Sequence, residues 1–170
     1  MLELERTFLA KSLPPGLERC RSAEIIDLYV PRDGHAVLRI RQFGDRFEIT
    51  KKMPLQQADR SRQEEQTIPL TGAEFAALST ATGKRVHKIR HFYPWAGGIA
   101  EIDVFQGPLQ GLVLVDVEFP SDREKAAFRM PDFCLADVTQ ELFAAGGMLC
   151  GKSYADIAEE LARFGYRKIQ

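Results

Sequence analysis

At 170 residues the chain is long enough for one well-filled core and too short for two ordinary domains. Hydrophobic residues at 45% and charged residues at 28% argue against disorder, and a formal charge of −1 supplies no bulk field toward nucleic acid or an anionic membrane. No apolar run approaches the ~20 residues of a membrane span, and the opening MLELERTFLAKSLPPG carries acids where a signal peptide would carry bases, so the expected location is cytoplasmic.

Period-2 alternation predicts strands over Leu2–Leu9, Glu24–Val30, Ala36–Gln42, Phe47–Lys52, Arg62–Ile68, Arg85–Phe92, Ile99–Phe105 and Leu112–Phe119. Pro31-Arg32-Asp33-Gly34 and Phe43-Gly44-Asp45-Arg46 read as hairpin turns, and Gly97-Gly98 and Gly107-Pro108 also break the pattern. Thr71 to Glu74 and Ser121 to Glu124 have capping-box spacing and open short helices. A last helix is predicted from Ser153, with Tyr154, Ile157, Leu161 and Phe164 on one face and Gly165 as its stop, while residues 129–152 read as irregular. Sequential strands with few helices between them exclude βαβ units and predict a single domain over residues 1–170, mainly β with flanking helices, built as an antiparallel barrel or meander.

The chemistry lies in what shares a strand face, because i and i+2 point the same way. Glu3, Glu5 and Thr7 share one face, as do Arg39 with Arg41, Thr50 with Lys52, and Arg62 with Glu64 and Gln66. The same spacing groups Lys88 with Arg90, Glu101 with Asp103, and Asp116 with Glu118. A solvated face usually mixes its signs, since like charges on one face repel. Here several strands carry paired charges of one sign. If the sheet closes, the acids Glu3, Glu5, Glu64, Glu101, Asp103, Asp116 and Glu118 meet the bases Arg39, Arg41, Lys52, Arg62, Lys88 and Arg90 on one inner wall. Hard carboxylates without His or Cys favour Mg²⁺ or Mn²⁺. The bases suit the dispersed oxygens of a linear triphosphate.

The motifs LELERT, LRIRQ, ITKK, SRQE, KIR, EIDVF and LVDVEF, followed by Asp137-Val138-Thr139, resemble in order and parity those of the CYTH or triphosphate tunnel family. That resemblance covers nearly the whole chain and implies a closed eight-stranded barrel and a metal-dependent phosphohydrolase acting on inorganic tripolyphosphate or an organic triphosphate. It implies that Glu3, Glu5, Asp116 and Glu118 hold metal, that Glu64 and Asp103 act as supporting ligands or water-orienting bases, and that Arg39, Arg41, Lys52, Arg62, Lys88 and Arg90 clamp phosphates. The expected partner is the small-molecule triphosphate, with no nucleic-acid polymer and no membrane; a homodimer is left open. Two departures stand out: Thr7 replaces the lysine of the opening signature, and Gln66 replaces an acid expected on the fifth strand. They favour, as the alternative, a catalytically impaired polyphosphate- or nucleotide-binding module. Adenylate cyclase chemistry also occurs in the family, but no residue here marks a nucleoside pocket.

Gly146 to Ser153 matches the P-loop pattern G-x-x-x-x-G-K-S, but only 17 residues follow it, too few to supply a parallel sheet. Ser153 is expected to cap the last helix instead. His35, His87 and His91 share no face with a carboxylate pair and read as surface or packing residues, and Trp95 reads as a barrel-end anchor. Cys20, Cys134 and Cys150 lack C-x-x-C spacing and suggest neither a disulfide framework nor a zinc site.

Overall fold

The computed structural model describes residues 2–30, 37–56, 59–80 and 84–170; the expected Pro31–Gly34 turn, His35 and Ala36 lie outside them. The strands are β1 (Leu2–Ala10), β2 (Ser22–Val30), β3 (Leu38–Phe43), β4 (Arg46–Gln56), β5 (Asp59–Leu70), β6 (Arg85–Trp95), β7 (Gly98–Phe105), β8 (Val113–Glu118) and β9 (Cys134–Asp137). Their order is β5-β4-β3-β2-β6-β7-β8-β1, and β1 returns to β5 through Leu2 opposite Glu64, Glu3 opposite Gln63 and Leu4 opposite Arg62. Every pairing is antiparallel, so the expected eight-stranded barrel closes. β9 pairs with β1 at Phe8 to Ala10, outside the ring, within a stretch whose sequence carries no sustained alternation.

Local chemistry explains the corners. Ala96 and Gly97 both take positive φ (48° and 81°) between β6 and β7, the backbone a tight hairpin turn demands. Helix α1 (Gly72–Ser79) opens on the expected capping box: the Glu74 amide donates to the Thr71 hydroxyl, and the Thr71 amide donates to the Glu74 carboxylate. Phe75 of this helix covers Phe47 on the barrel exterior, ring centroids 4.9 Å apart. Helix α2 (Asp122–Ala127) begins at Ser121, whose hydroxyl accepts from the Glu124 amide.

Two apolar clusters divide the molecule. One covers the outer face of β1, β7 and β8, where Phe8, Ile102, Val113 and Val115 pack against Leu17 and Phe133. The other fills one end of the bore. There the inward positions turn apolar, with Leu9, Tyr29, Val86, Phe105 and Leu114 contributed by five strands, and the C-terminal segment packs Val138, Phe143, Ala144, Leu149, Ile157 and Leu161 against them. Tyr166 locks this plug, its hydroxyl donating to the Gly111 carbonyl (2.9 Å) and accepting from the Val113 amide (2.8 Å).

The plug corrects two expectations. Gly146 to Leu149, within a stretch read as irregular, form a short helix, α3, inside it, while, as expected, the described strands offer no parallel sheet to a P-loop. The last helix is broken into a 3₁₀ turn (Ala155–Ile157) and α4 (Ala158–Ala162), because Ile157 leaves helical geometry (φ −117°) to bury its side chain. The Ser153 hydroxyl does not accept a capping bond; it donates to the Asp156 carboxylate at 2.8 Å. Among the described residues no helix is long and apolar enough to cross a membrane.

Gly146 sits so close to β2 that an added Cβ would lie 2.1 Å from the Tyr29 hydroxyl. Gly146→Ala is therefore expected to destabilise the fold by about 1–3 kcal/mol, the usual cost of overpacking. Combining it with Tyr29→Phe, which removes the clashing oxygen, should recover part of that loss. Urea midpoints of the two single variants and the double variant measure the coupling.

Candidate active site

Beyond the plug the inward positions become charged. Glu3, Glu5 and Thr7 of β1, Arg39 and Arg41 of β3 and Lys52 of β4 line one cavity together with Lys88 and Arg90 of β6, Asp103 of β7, and Asp116 and Glu118 of β8. Cross-strand register sets Glu5 opposite Glu118, Thr7 opposite Asp116 and Arg90 opposite Asp103. Strand alternation alone predicts which of these side chains point inward; the pairing decides which of them touch.

Three ion networks result. Lys52 Nζ lies 2.6 Å from Glu3 and 3.2 Å from Glu5. Arg90 donates twice to Asp103 (both 2.7 Å) and once to Asp116 (3.3 Å), and it also reaches Glu101, while Lys88 donates to Asp103. Arg41 makes a two-pronged contact to the buried carboxylate of Asp27, at 2.6 and 2.8 Å. Thr7 takes part too, its hydroxyl donating to Asp116 at 2.8 Å.

These contacts divide the acids by charge state. Burial would raise Asp103, but Arg90 and Lys88 outweigh it and hold the carboxyl down at about 2. Asp116 is pushed up to about 7 by burial and by the charges of Glu5 and Asp103. Glu118 is also raised to about 7, by burial first and then by Glu101. Glu3 is raised by burial, whereas Glu5 is lowered, because Lys52 with Arg90 and Arg39 overcomes its desolvation.

Two features fit exogenous charged ligands. Carboxylate oxygens of Glu3, Glu5 and Glu118 lie within 4.8 Å of one another, and the buried Glu3 Oε2 has no aligned hydrogen bond although Lys52 is close. Three hard oxygen donors suit a divalent cation such as Mg²⁺ or Mn²⁺. Asp116 lies beside this group, bonded to Thr7 and Arg90. On the cationic side, Arg39 lines the cavity with its Nε buried and without a hydrogen-bond partner. Against the cost of burial, Asp27 and Tyr29 keep that guanidinium firmly charged.

Strand β5 departs from expectation. Thr50 pairs with Thr67 and Lys52 with Glu65, so Gln63 and Glu65 share the inner face, whereas Arg62, Glu64 and Gln66 point outward. Arg62 donates to Asp122 on the exterior at 2.6 Å, and Glu64 is exposed opposite Leu2. Alternation sets the period of a strand but not its phase, and Arg62 to Thr67 is polar at both parities. The usable signal was Ile68, which pairs with the outward Ile49 and carries the even-numbered positions outside with it. Gln66 therefore removes no carboxylate from the cavity.

Sequence reading also passed over Asp27, Tyr29, Glu48, Arg60, Gln63 and Glu65, all on the cavity wall. Asp27 carried a signal, as an acid set between apolar neighbours in EIIDLYV and in phase with Ile25 and Tyr29. The histidines within the described residues are packing or surface groups: His87 Nε2 contacts Glu24 at 2.8 Å, and His91 Nδ1 is buried without a hydrogen-bond partner. Trp95 packs edge-on against Phe133 at 5.2 Å.

Asp27 anchors the least hydrated of these networks. Burial would raise its pKa, but Arg41 holds it well below the ordinary carboxylate range of about 4. A depressed folded-state pKa contributes stability above the unfolded value and loses it as pH falls. Asp27→Asn is expected to cost about 3 kcal/mol at neutral pH, since it strands a buried guanidinium. The gap to the parent protein should narrow as pH drops below about 4, as read from denaturant midpoints across pH.

No protein-family model matches the chain. An inorganic triphosphatase of Nitrosomonas europaea is 36% identical over 143 residues, covering 83% of this chain and 91% of the relative. An inorganic triphosphatase of Acetivibrio thermocellus is 29% identical over 111 residues, 65% of this chain and 69% of that one. The crystal structure of the inorganic triphosphatase NE1496 superimposes with a TM-score of 0.63 at 30% identity, covering 86% of this chain and 93% of its own. Given this likeness along most of its length and the charged interior of its closed barrel, the chain belongs to the CYTH, or triphosphate tunnel, family.

Proposed function

We propose that the protein is a metal-dependent triphosphatase that hydrolyses a phosphoanhydride bond of inorganic tripolyphosphate or an organic triphosphate inside the barrel. The observation that carries this reading is a single cavity with arginines and lysines on one part of its wall and a three-carboxylate cluster on another. A linear triphosphate needs both: cations for its oxygens, and a divalent ion to neutralise charge that side chains alone leave unbalanced. Glu3, Glu5 and Glu118 would hold Mg²⁺ or Mn²⁺, with Asp116 adjacent. When bound, the cation would screen the phosphate charge and make water more acidic.

The remaining work falls to the chain itself. Arg39 lines the cavity with an Nε that no hydrogen bond satisfies, and Arg41, fixed by its two contacts to Asp27, lines the same wall. Lys88 and Arg90 are positioned by Asp103. That carboxylate, at about 2 and already engaged by both cations, organises them rather than accepting a proton from water. Glu64, on the outer face, has no route to the substrate. The alternative of a non-catalytic binding module now rests on Thr7 alone, since Gln66 faces out.

Phosphate release from tripolyphosphate, with and without Mg²⁺ or Mn²⁺, tests the proposal directly. Metal-dependent release is expected, and Arg39→Ala should lower kcat/KM by about 10- to 100-fold, the worth of one charge-assisted contact. Absence of release from both tripolyphosphate and ATP under either metal would leave binding as the function. Separately, Glu3→Gln should weaken Mn²⁺ binding at least tenfold in a calorimetric titration without substrate, and unchanged affinity would remove that residue from the metal site.

A further inference from the structure

Among the charged groups on the cavity wall, Arg60 stands apart. Arg41, Lys52, Lys88 and Arg90 each sit against one or more carboxylates. No carboxylate oxygen of the described residues lies within ion-pair distance of the Arg60 guanidinium, although the residue is half-buried and lines the same cavity as Glu3, Glu5 and Thr7. Burial lowers its pKa and no acid opposes that shift. A half-buried guanidinium with no acid in ion-pair reach keeps its N–H donors available to an anion that enters the cavity.

The backbone is shaped to aim this side chain inward. Pro54 pairs with Gln63 and Gln56 with Asp59, so two steps along β4 are matched by four along β5, and the register shifts there. Such a bulge re-aims side chains. Ser61 and Arg62 consequently both face outward, Ser61 accepting from Lys125 at 2.7 Å and Arg62 meeting Asp122, while Arg60 turns into the bore. The bend is held from several sides. Asp59 accepts from the Ser61 amide and hydroxyl at 3.0 and 2.6 Å and from Gln140 at 3.3 Å, and the Arg60 amide donates to Gln140 at 2.9 Å. The neighbouring Thr139 accepts from the Thr7 amide at 3.0 Å, so the adjacent residues 139 and 140 hold the backbones of Thr7 and Arg60 past the point where the β1–β5 pairing ends.

On the reading of the cavity as a triphosphate site, we propose that Arg60 is a substrate-binding residue, delivered by the β5 bulge to clasp phosphate oxygens beside Thr7. Its outward neighbour Arg62 takes no part. The pair therefore makes an internal control, two arginines two residues apart on opposite sides of the barrel wall.

The test is steady-state hydrolysis of tripolyphosphate by the full chain, together with calorimetric titration of tripolyphosphate, for the parent, Arg60→Ala, Arg60→Lys and Arg62→Ala. Arg60→Ala is expected to raise KM at least tenfold with kcat within threefold, Arg60→Lys to recover part of the loss, and Arg62→Ala to stay within twofold of the parent. Unfolding midpoints identify any loss that comes from misfolding, in which case the Arg60→Lys variant decides by the same criterion. Parental kinetics in Arg60→Ala, or the loss appearing in Arg62→Ala instead, would overturn the assignment. If the parent binds tripolyphosphate but releases no phosphate, hydrolysis fails on its own and affinity decides for Arg60: tenfold weaker binding supports it and equal binding sinks it. A parent that neither binds nor hydrolyses the anion overturns both.

Discussion

Closing the sheet through β1 against β5 imposes the condition on which everything else rests: charged side chains on the inner wall leave bulk water and must find partners inside. An open sheet could solvate the same residues at little cost. In the closed barrel Asp27 binds Arg41, Asp103 binds Lys88 and Arg90, and Lys52 lies between Glu3 and Glu5. These contacts do not simply add stability, because each offsets a desolvation cost the closure itself creates. What the networks leave over is informative: three carboxylates gathered within 4.8 Å, an Arg39 Nε with no hydrogen-bond partner, and an Arg60 guanidinium with no ion pair among the described residues.

The plug gives that interior its polarity. By filling one end of the bore with side chains from five strands and the C-terminal segment, it supplies the apolar burial that a barrel lined entirely by charge would lack. The second cluster, on the outer face of β1, β7 and β8, backs the strands that carry most of the acids. Strand β1 is central to both, pairing with β5, β8 and β9 in succession while its odd-numbered side chains run from Glu3 and Glu5 through Thr7 to the buried Leu9. Site and core are thus two halves of the same strand faces. Groups mounted on paired strands keep their geometry before a ligand arrives, which is what binding a polyanion by fixed charges requires.

The acids of the cavity differ in state because their neighbours differ, not because their burial does. Asp103 and Asp116 both lie deep in the barrel, yet one is held at about 2 and the other raised to about 7. Arg90 and Lys88 converge on Asp103, whereas Asp116 receives only a longer contact from Arg90 and the Thr7 hydroxyl while facing the charge of Glu5. Residue types alone could not divide these roles. Cross-strand partners could.

The strand alternation and turn residues of this chain determined an antiparallel barrel or meander, and closure was implied by the family resemblance alone. Shared strand faces grouped every predicted site residue outside β5 on the side that forms the bore. That follows because a two-residue period is local and each of those strands marks one face as apolar. Three features needed the tertiary structure. The phase of β5 depended on pairing with β4, since its polar stretch marks neither face, and so Arg62 and Glu64 fell outside while Glu65 and Arg60 came in. Strand β9 and the plug helices form only because β1 and the apolar end of the bore are there to receive them. The pairing of Asp27 with Arg41 joins residues on neighbouring strands whose register no local pattern specifies. Local periodicity decides which way a side chain points, but only long-range pairing decides what it meets.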